Sequence, residues 1–177
     1  VRVVDQNTGE DVKPGEVGEI IAKGPNVMNG YWKRPKETAE ALRGGDMHTG
    51  DLAAIDEENF IFIVDRAKDM IVSGGENVYC AEVENALYDH PDVLEASVIG
   101  IPDDRWGEAV LAIVVPKEGT SPSEGELIEH CRGIIAGYKC PKQVVFQAQP
   151  LPKSGPGKIL KTELRKPYWE GKARQVN

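Results

Sequence analysis

Excess positive charge, paired cysteines and long apolar runs are all missing from this sequence, and each absence removes a class of function. Its 177 residues carry a net charge of −8, which argues against a general binder of phosphate backbones, because such binding rests on basic patches. Cys80, Cys131 and Cys140 are its three cysteines. An odd number at no metal-ligand spacing predicts reduced thiols and a cytoplasmic setting. No apolar run approaches the roughly 20 residues that a membrane helix needs, so no membrane span is expected. No Ser-His-Asp set, paired-carboxylate motif or metal cluster appears, and no metal ligand is assigned. The chain opens inside an apparent strand, Val1–Val4, without an initiator Met or a signal peptide. It therefore reads as a fragment.

What remains is organised around Asp65–Glu84 (DRAKDMIVSGGENVYCAEVE). An apolar run, Phe60–Val64, ends at a charged junction, Asp65-Arg66-Ala67-Lys68-Asp69, and a second apolar run, Met70–Val72, follows. Ser73-Gly74-Gly75 breaks that strand, since paired glycines tolerate positive φ and let a ligand approach the backbone. An acidic helix comes next, with Val83 and Leu87 at helical spacing. A charged seam followed by a bare turn suits a hinge beside a binding site. A polar connector and an ordinary Gly-Gly turn would look the same.

Before the seam the pattern is β-rich. Val1–Val4 and Val17–Ala22 read as strands, Pro35–Leu42 as a short helix with Pro in its first turn, and Ala53–Asp56 with Phe60–Val64 as a hairpin. After it, strands are predicted at Met70–Val72, Leu94–Ile101, Ala109–Val115 and Gln143–Phe146. Helices are predicted at Ala81–Asp89, Glu124–Ala136 and Thr162–Trp169, the second placing Leu127, Ile128, Cys131, Ile134 and Ile135 on one side. The resulting class is α+β. A two-layer β-α-β-β-α-β domain, its helices on one face of a sheet, follows a small all-β piece.

Three places could carry chemistry. In His48-Thr49-Gly50-Asp51, placed just before a strand, the Asp51 carboxylate could accept bonds from two vicinal hydroxyls, as for a ribose, or could satisfy turn amides. Arg66 offers a rigid guanidinium fork to hydroxyls or phosphate, or makes a local ion pair. In Leu151–Lys161 (LPKSGPGKILK), Lys158 follows two glycines and two prolines on a segment that cannot be helix or central strand. Such a loop could carry one ammonium to a carboxylate and a phosphoryl group, or could be a solvated basic loop. Its glycine spacing is not that of a Walker A motif. His48 has no Cys or His partner near it in sequence, and Trp106-Gly107-Glu108 is expected to pack the start of a strand.

GEIIAKGPNVMNGYW, HTGDLA, DRAKDMIVSGGENVYCAEVE, GIPDDRWGE and LPKSGPGKILKTELR occur in this order. The series resembles the carboxyl-terminal part of the adenylate-forming acyl-CoA synthetases, most of all the fatty-acid and aryl-acid CoA ligases. That resemblance implies ATP, Mg2+ and CoA as co-substrates, and a carboxylic acid that is first adenylated and then passed to the CoA thiol. It implies that residues 1–66 end an N-terminal adenylate-binding domain and that residues 67–177 form a mobile lid. By resemblance, Asp51 binds the ribose hydroxyls and Arg66 the same nucleotide. Lys68 falls at the hinge, Lys158 matches the mobile catalytic lysine, and Ser73, Gly74 and Gly75 match the loop lining the CoA channel. Asp46 stands where the family commonly has Trp, and Cys80 where Pro is common. The partners implied are the missing N-terminal domain, the acid and CoA, with no nucleic acid, and the fragment alone is expected to be inactive. The same lid would serve a ligase that loads a carrier protein, or a luciferase-like enzyme. A non-enzymatic binding module with this strand order, such as a single-strand RNA reader, would carry aromatics on its central strands, whereas Ala109–Val115 is aliphatic.

Overall fold

The structure, a computed structural model, describes residues 1–172. It separates into two compact units, with the break between Lys68 and Asp69.

The first unit is a four-stranded antiparallel sheet in the order β1-β2-β3-β4, formed by β1 (Arg2–Val4), β2 (Val17–Ala22), β3 (Met47–Ile55) and β4 (Ile61–Arg66). Between β2 and β3 lie α1 (Pro35–Ala41), with Pro35 in its first turn, and a 3-10 turn at Arg43–Gly45. Val3, Val12 and Ala53 form a small buried core flanked by Ile20 and Ile55. β3 begins at Met47, well before the predicted Ala53. The His48-Thr49-Gly50-Asp51 segment is therefore inside a strand, at an irregularity in its pairing with β2, rather than in a turn ahead of one.

The second unit is built on the antiparallel pair β7 (Val93–Asp103) and β8 (Gly107–Pro116). Residues alternate across this pair, as the strand period of two requires. Val110, Ala112 and Val114 point into one core with Ala96 and Val98. Leu111, Ile113 and Val115 point into another with Ile99. On the first face lie α2 (Cys80–Tyr88) and α3 (Glu124–Arg132), contributing Val83, Leu87, Leu127 and Cys131. The sheet is completed by β5 (Ile71–Ser73), β6 (Glu76–Val78) and β9 (Gln143–Phe146), the last parallel to β8. Leu151 and Leu164, from α4 (Lys161–Trp169), cover the second face. This is the α+β class read from the sequence, with a terminal helix added on the far side of the sheet.

Two local readings change. β6 was not anticipated: Gly74 and Gly75, at φ +63° and +87°, close a two-residue hairpin between β5 and β6 instead of ending a strand. Positive φ at both central residues is what a type I′ hairpin demands. α3 stops at Arg132, four residues before the predicted Ala136, and Gly133 caps it. Ile134, placed by periodicity on the apolar side, is consequently half exposed. The start of α3 is a full capping box, with Ser123 and Glu126 each bonding the other's backbone N–H.

Long-range ion pairs tie the C-terminal segments to Asp69 ahead of β5, to Glu84 on α2 and to Glu95 on β7. Arg165 donates to Asp69 at 2.8 Å, with the two side chains only 11% and 14% exposed. Lys153 pairs with Glu95, whose other oxygen accepts the Leu151 N–H at 2.9 Å. Lys161 pairs with Glu84 at 2.8 Å.

Two predictions follow from these ties. Arg165→Leu strands the Asp69 carboxylate in a largely buried position and should cost about 2–4 kcal/mol, read as a lowered urea midpoint with an unchanged slope. The Lys153 ammonium, together with the Leu151 N–H, holds the Glu95 carboxyl below its ordinary value of 4.5. A lowered folded-state pKa contributes stability above pH 4.5 that disappears as pH falls through the lowered value. Glu95→Gln should therefore be less stable than wild type at neutral pH, with the gap closing in acid. Urea titrations across that range would show a constant gap if Glu95 had no such role.

Candidate functional site

In the first unit, the sequence-marked Asp51 and Arg66 are register partners on β3 and β4. Arg66 Nε lies 2.9 Å from Asp51 Oδ1 as an ion pair, and the side chains are 53% and 29% exposed. A pair this open contributes only about 0–1 kcal/mol to stability. Its effect is local: the guanidinium fixes one carboxylate oxygen on an accessible edge. The local ion-pair reading of Arg66 is thus realised, and the same contact presents both groups together.

The segment that sets Asp51 is held by a residue that carried no label in the sequence. Glu19, on β2, is 3% exposed. Its Oε2 accepts from Arg43 Nη2 and from His48 Nδ1, both at 2.8 Å, and its Oε1 accepts the Gly50 N–H at 3.1 Å. Because a carboxylate only accepts in this geometry, Nδ1 carries the His48 proton. Thr49 Oγ1 donates to the Ile20 carbonyl at 2.8 Å and accepts the Asp51 N–H at 3.1 Å. His48, which had no partner by sequence spacing, is therefore a structural prop. The available signal was an acidic residue inside the apolar strand VGEIIA, which a buried basic partner would explain.

In the second unit, Gly74 and Gly75 are exposed and Ser73, the last residue of β5, is partly buried. The turn sits on the start of β8. Gly74 N–H donates to the Trp106 carbonyl at 2.9 Å, and a Cβ at Gly74 would come within 2.7 Å of the Trp106 ring. Trp106 itself is set by Asp103, which accepts its N–H at 2.8 Å, and Arg105 lies over its ring, 4.5 Å from the centroid. Lys68 is exposed, at the last residue of the first unit.

The Lys158 loop is a closed miniature hairpin. Lys153 and Ile159 form an isolated antiparallel bridge, Ser154 N–H donates to the Lys158 carbonyl at 2.8 Å, and Gly157 N–H to the Ser154 carbonyl at 2.8 Å. The loop is thus better fixed than its glycine and proline content suggested. Lys153 and Lys161, at its two bases, are committed to Glu95 and Glu84. Lys158 at the tip is exposed, and its ammonium has no ion pair among the described residues. Cys80, Cys131 and Cys140 are buried and form no disulfide among the described residues. Burial, with the neighbouring Cys140, pushes the Cys131 thiol up to about 11 and leaves it a poor nucleophile. Among the described residues no group of three His, Cys, Asp or Glu could hold a metal ion, and no helix is long and apolar enough to cross a membrane.

Residues 82–158 match the model of the AMP-binding enzyme C-terminal domain, and residues 1–32 match that of the AMP-binding enzyme. A feruloyl-CoA synthase of Amycolatopsis sp is 54% identical over 161 residues, covering 91% of this chain and 33% of that protein. A long-chain-fatty-acid–CoA ligase of Bacillus subtilis is 48% identical over 162 residues, covering 92% of this chain and 29% of that one. Among solved structures, ATP-bound MatB from Rhodopseudomonas palustris superposes with a TM-score of 0.87 at 40% identity, covering 94% of this chain and 33% of that one. The chain spans about a third of the length of the curated relatives it matches. It belongs to the AMP-binding, adenylate-forming acyl-CoA synthetase superfamily, and carries the C-terminal part of that architecture.

Proposed function

We propose that this chain completes an ATP-dependent acid–thiol ligase that joins a carboxylic acid to CoA. In the first half-reaction the acid's oxygen attacks the α-phosphorus of ATP, and the bond to pyrophosphate breaks. In the second, the CoA sulfur attacks the acyl carbon, AMP leaves with the bonding pair, and the thiol proton is released. Residues 1–66 end the adenylate-binding domain, and residues 67–177 form a lid that turns about Lys68 between the two steps. The acid is a fatty or aryl acid, in line with the feruloyl-CoA synthase and the long-chain-fatty-acid–CoA ligase that the chain resembles.

The observation that carries this reading is the isolation of Lys158. Acid and triphosphate repel one another as they meet, and one compact cation between them supplies both position and charge compensation. Three lysines lie close together here, at positions 153, 158 and 161. The outer two are neutralised by Glu95 and Glu84, which leaves a single ammonium at the tip of a loop with fixed bases. Asp51, braced by Arg66, takes the ribose hydroxyls, and Arg66 faces the same nucleotide. The Ser73-Gly74-Gly75 turn, bare of side chains at its exposed end, is the surface past which the thiol arm runs in the second step. Mg2+ would arrive with ATP. Among the described residues no group of three His, Cys, Asp or Glu could hold a metal ion, so no ligand is assigned to it.

Lys158→Ala in the intact enzyme should slow acid-dependent pyrophosphate exchange by about 10²–10³-fold. Thioester formation from a preformed acyl-adenylate should stay near wild type. Full-speed exchange by the variant would overturn the assignment of Lys158, and equal losses in both half-reactions would remove its specificity for the first.

A further inference from the structure

β5, the strand that leads into the Gly74-Gly75 turn, is held by a side chain to which the sequence assigned only packing. Glu108 is the second residue of β8, in a run that is otherwise apolar from Ala109 to Val115, and it is 1% exposed. Its Oε2 accepts the Val72 N–H at 3.1 Å. β5 and β8 meet in a single register pair, Ser73 with Gly107, flanked by the bond from Gly74 N–H to the Trp106 carbonyl. The carboxylate therefore stands where a further backbone carbonyl of β8 would have continued the ladder. β7 is cut away to make room: a Cβ at Gly100 would lie 3.0 Å from Oε2 and 3.1 Å from the carboxyl carbon.

A buried carboxylate is an expensive way to fill a strand position, because its desolvation is recovered only through hydrogen bonds. An aliphatic residue would pack there without that cost, as its neighbours do. What the carboxylate adds is a fixed height for the amide of Val72, two residues ahead of Gly74. With the Trp106 ring against Gly74 on the other side, both ends of β5's approach to the turn are held. A turn that must pass a thiol arm across bare backbone depends on position to within about 1 Å.

We propose that Glu108 is a positioning residue for thioester formation. It touches neither CoA nor adenylate and acts through Val72 on the Ser73-Gly74-Gly75 turn. The assignment rests on the reading that this turn faces the CoA path.

The test uses the intact enzyme and measures the half-reactions separately. Glu108→Met keeps the volume and removes the acceptor. It should lower the rate of thioester formation from preformed adenylate about 10- to 100-fold and raise KM for CoA, with pyrophosphate exchange close to wild type. Glu108→Gln retains an acceptor oxygen for Val72 and should restore most of the thioester rate. Should the Met variant fail to fold, Gly100→Ala presses on the same carboxylate from β7 and should give a smaller defect of the same selectivity. Equal losses in both half-reactions, or no loss in the second, would overturn the proposal, as would a Gln variant as slow as Met. Gly75→Ala, strained by its positive φ but with open space around it, separates the role of the turn from that of Glu108. A Gly75→Ala enzyme slow only in thioester formation beside an unimpaired Glu108→Met enzyme removes the role of Glu108 alone. A Gly75→Ala enzyme unaffected in both steps removes the reading of the turn, and the role of Glu108 with it.

Discussion

The antiparallel ladder between β7 and β8 is the constraint from which the second unit is built. It runs in register from Glu95–Val115 to Asp103–Gly107, and almost every side chain of β8 is buried on one face or the other. A slip of one residue would exchange the two sets, sending Leu111, Ile113 and Val115 toward α2 and α3 and leaving Val110, Ala112 and Val114 against Leu151 and α4. The two cores differ in volume and in what covers them, so that exchange is disfavoured at every position at once. Both loops of functional interest inherit their placement from this ladder. The Trp106 turn closes the ladder where β7 passes into β8, and the Lys158 loop leaves from Leu151, which shares the second core with Ile99 and Leu111.

Glutamates do an unusual share of the remaining joining. Glu84 accepts the Val98 N–H at 2.7 Å, Glu95 that of Leu151 at 2.9 Å and Glu124 that of Val144 at 2.8 Å. Glu108 and Glu19 do the same for Val72 and Gly50. In each case a side chain from one element satisfies an amide on another, where backbone pairing has run out. Charge-assisted bonds of this kind are stronger than neutral ones, and they fix orientation as well as contact. The net charge of −8 is therefore only partly a surface property. Some of it is built into the joints between elements.

The course of the strands and helices was legible because apolar period and turn chemistry agree along most of the chain. Ala109–Val115 could be nothing other than a buried strand, and Ser123 with Glu126 marks the start of α3. The exceptions have physical causes. The β5–β6 hairpin is too short to show an alternation, and Gly-Gly reads equally as a break or as a two-residue turn. Ile134 obeys helical spacing in a sequence whose helix has already ended at Gly133. The candidate site was legible as motifs, and Asp51, Arg66, Lys158 and the two glycines could be marked without coordinates. Their supports could not. Glu19 and Glu108 act across strands that lie far apart in sequence, and local spacing carries no trace of a bond from residue 108 to residue 72.

Under the proposed function, support of this kind bears on how one small surface would serve two chemical steps. A group that must act in one pose and be absent in another has to move as part of a body, since loose side chains would lose in entropy what they gain in reach. The closures at Ser154, Gly157 and Lys153–Ile159 make the Lys158 loop such a body, and Arg165 fastens the helix that follows it to Asp69, the first residue of the second unit. The lysine tip and the glycine turn are thus each fixed within one unit by bonds to the same sheet. On the proposed reading of Lys68 as a hinge, a rotation there would carry both together, and bringing one group forward would withdraw the other without a separate switch.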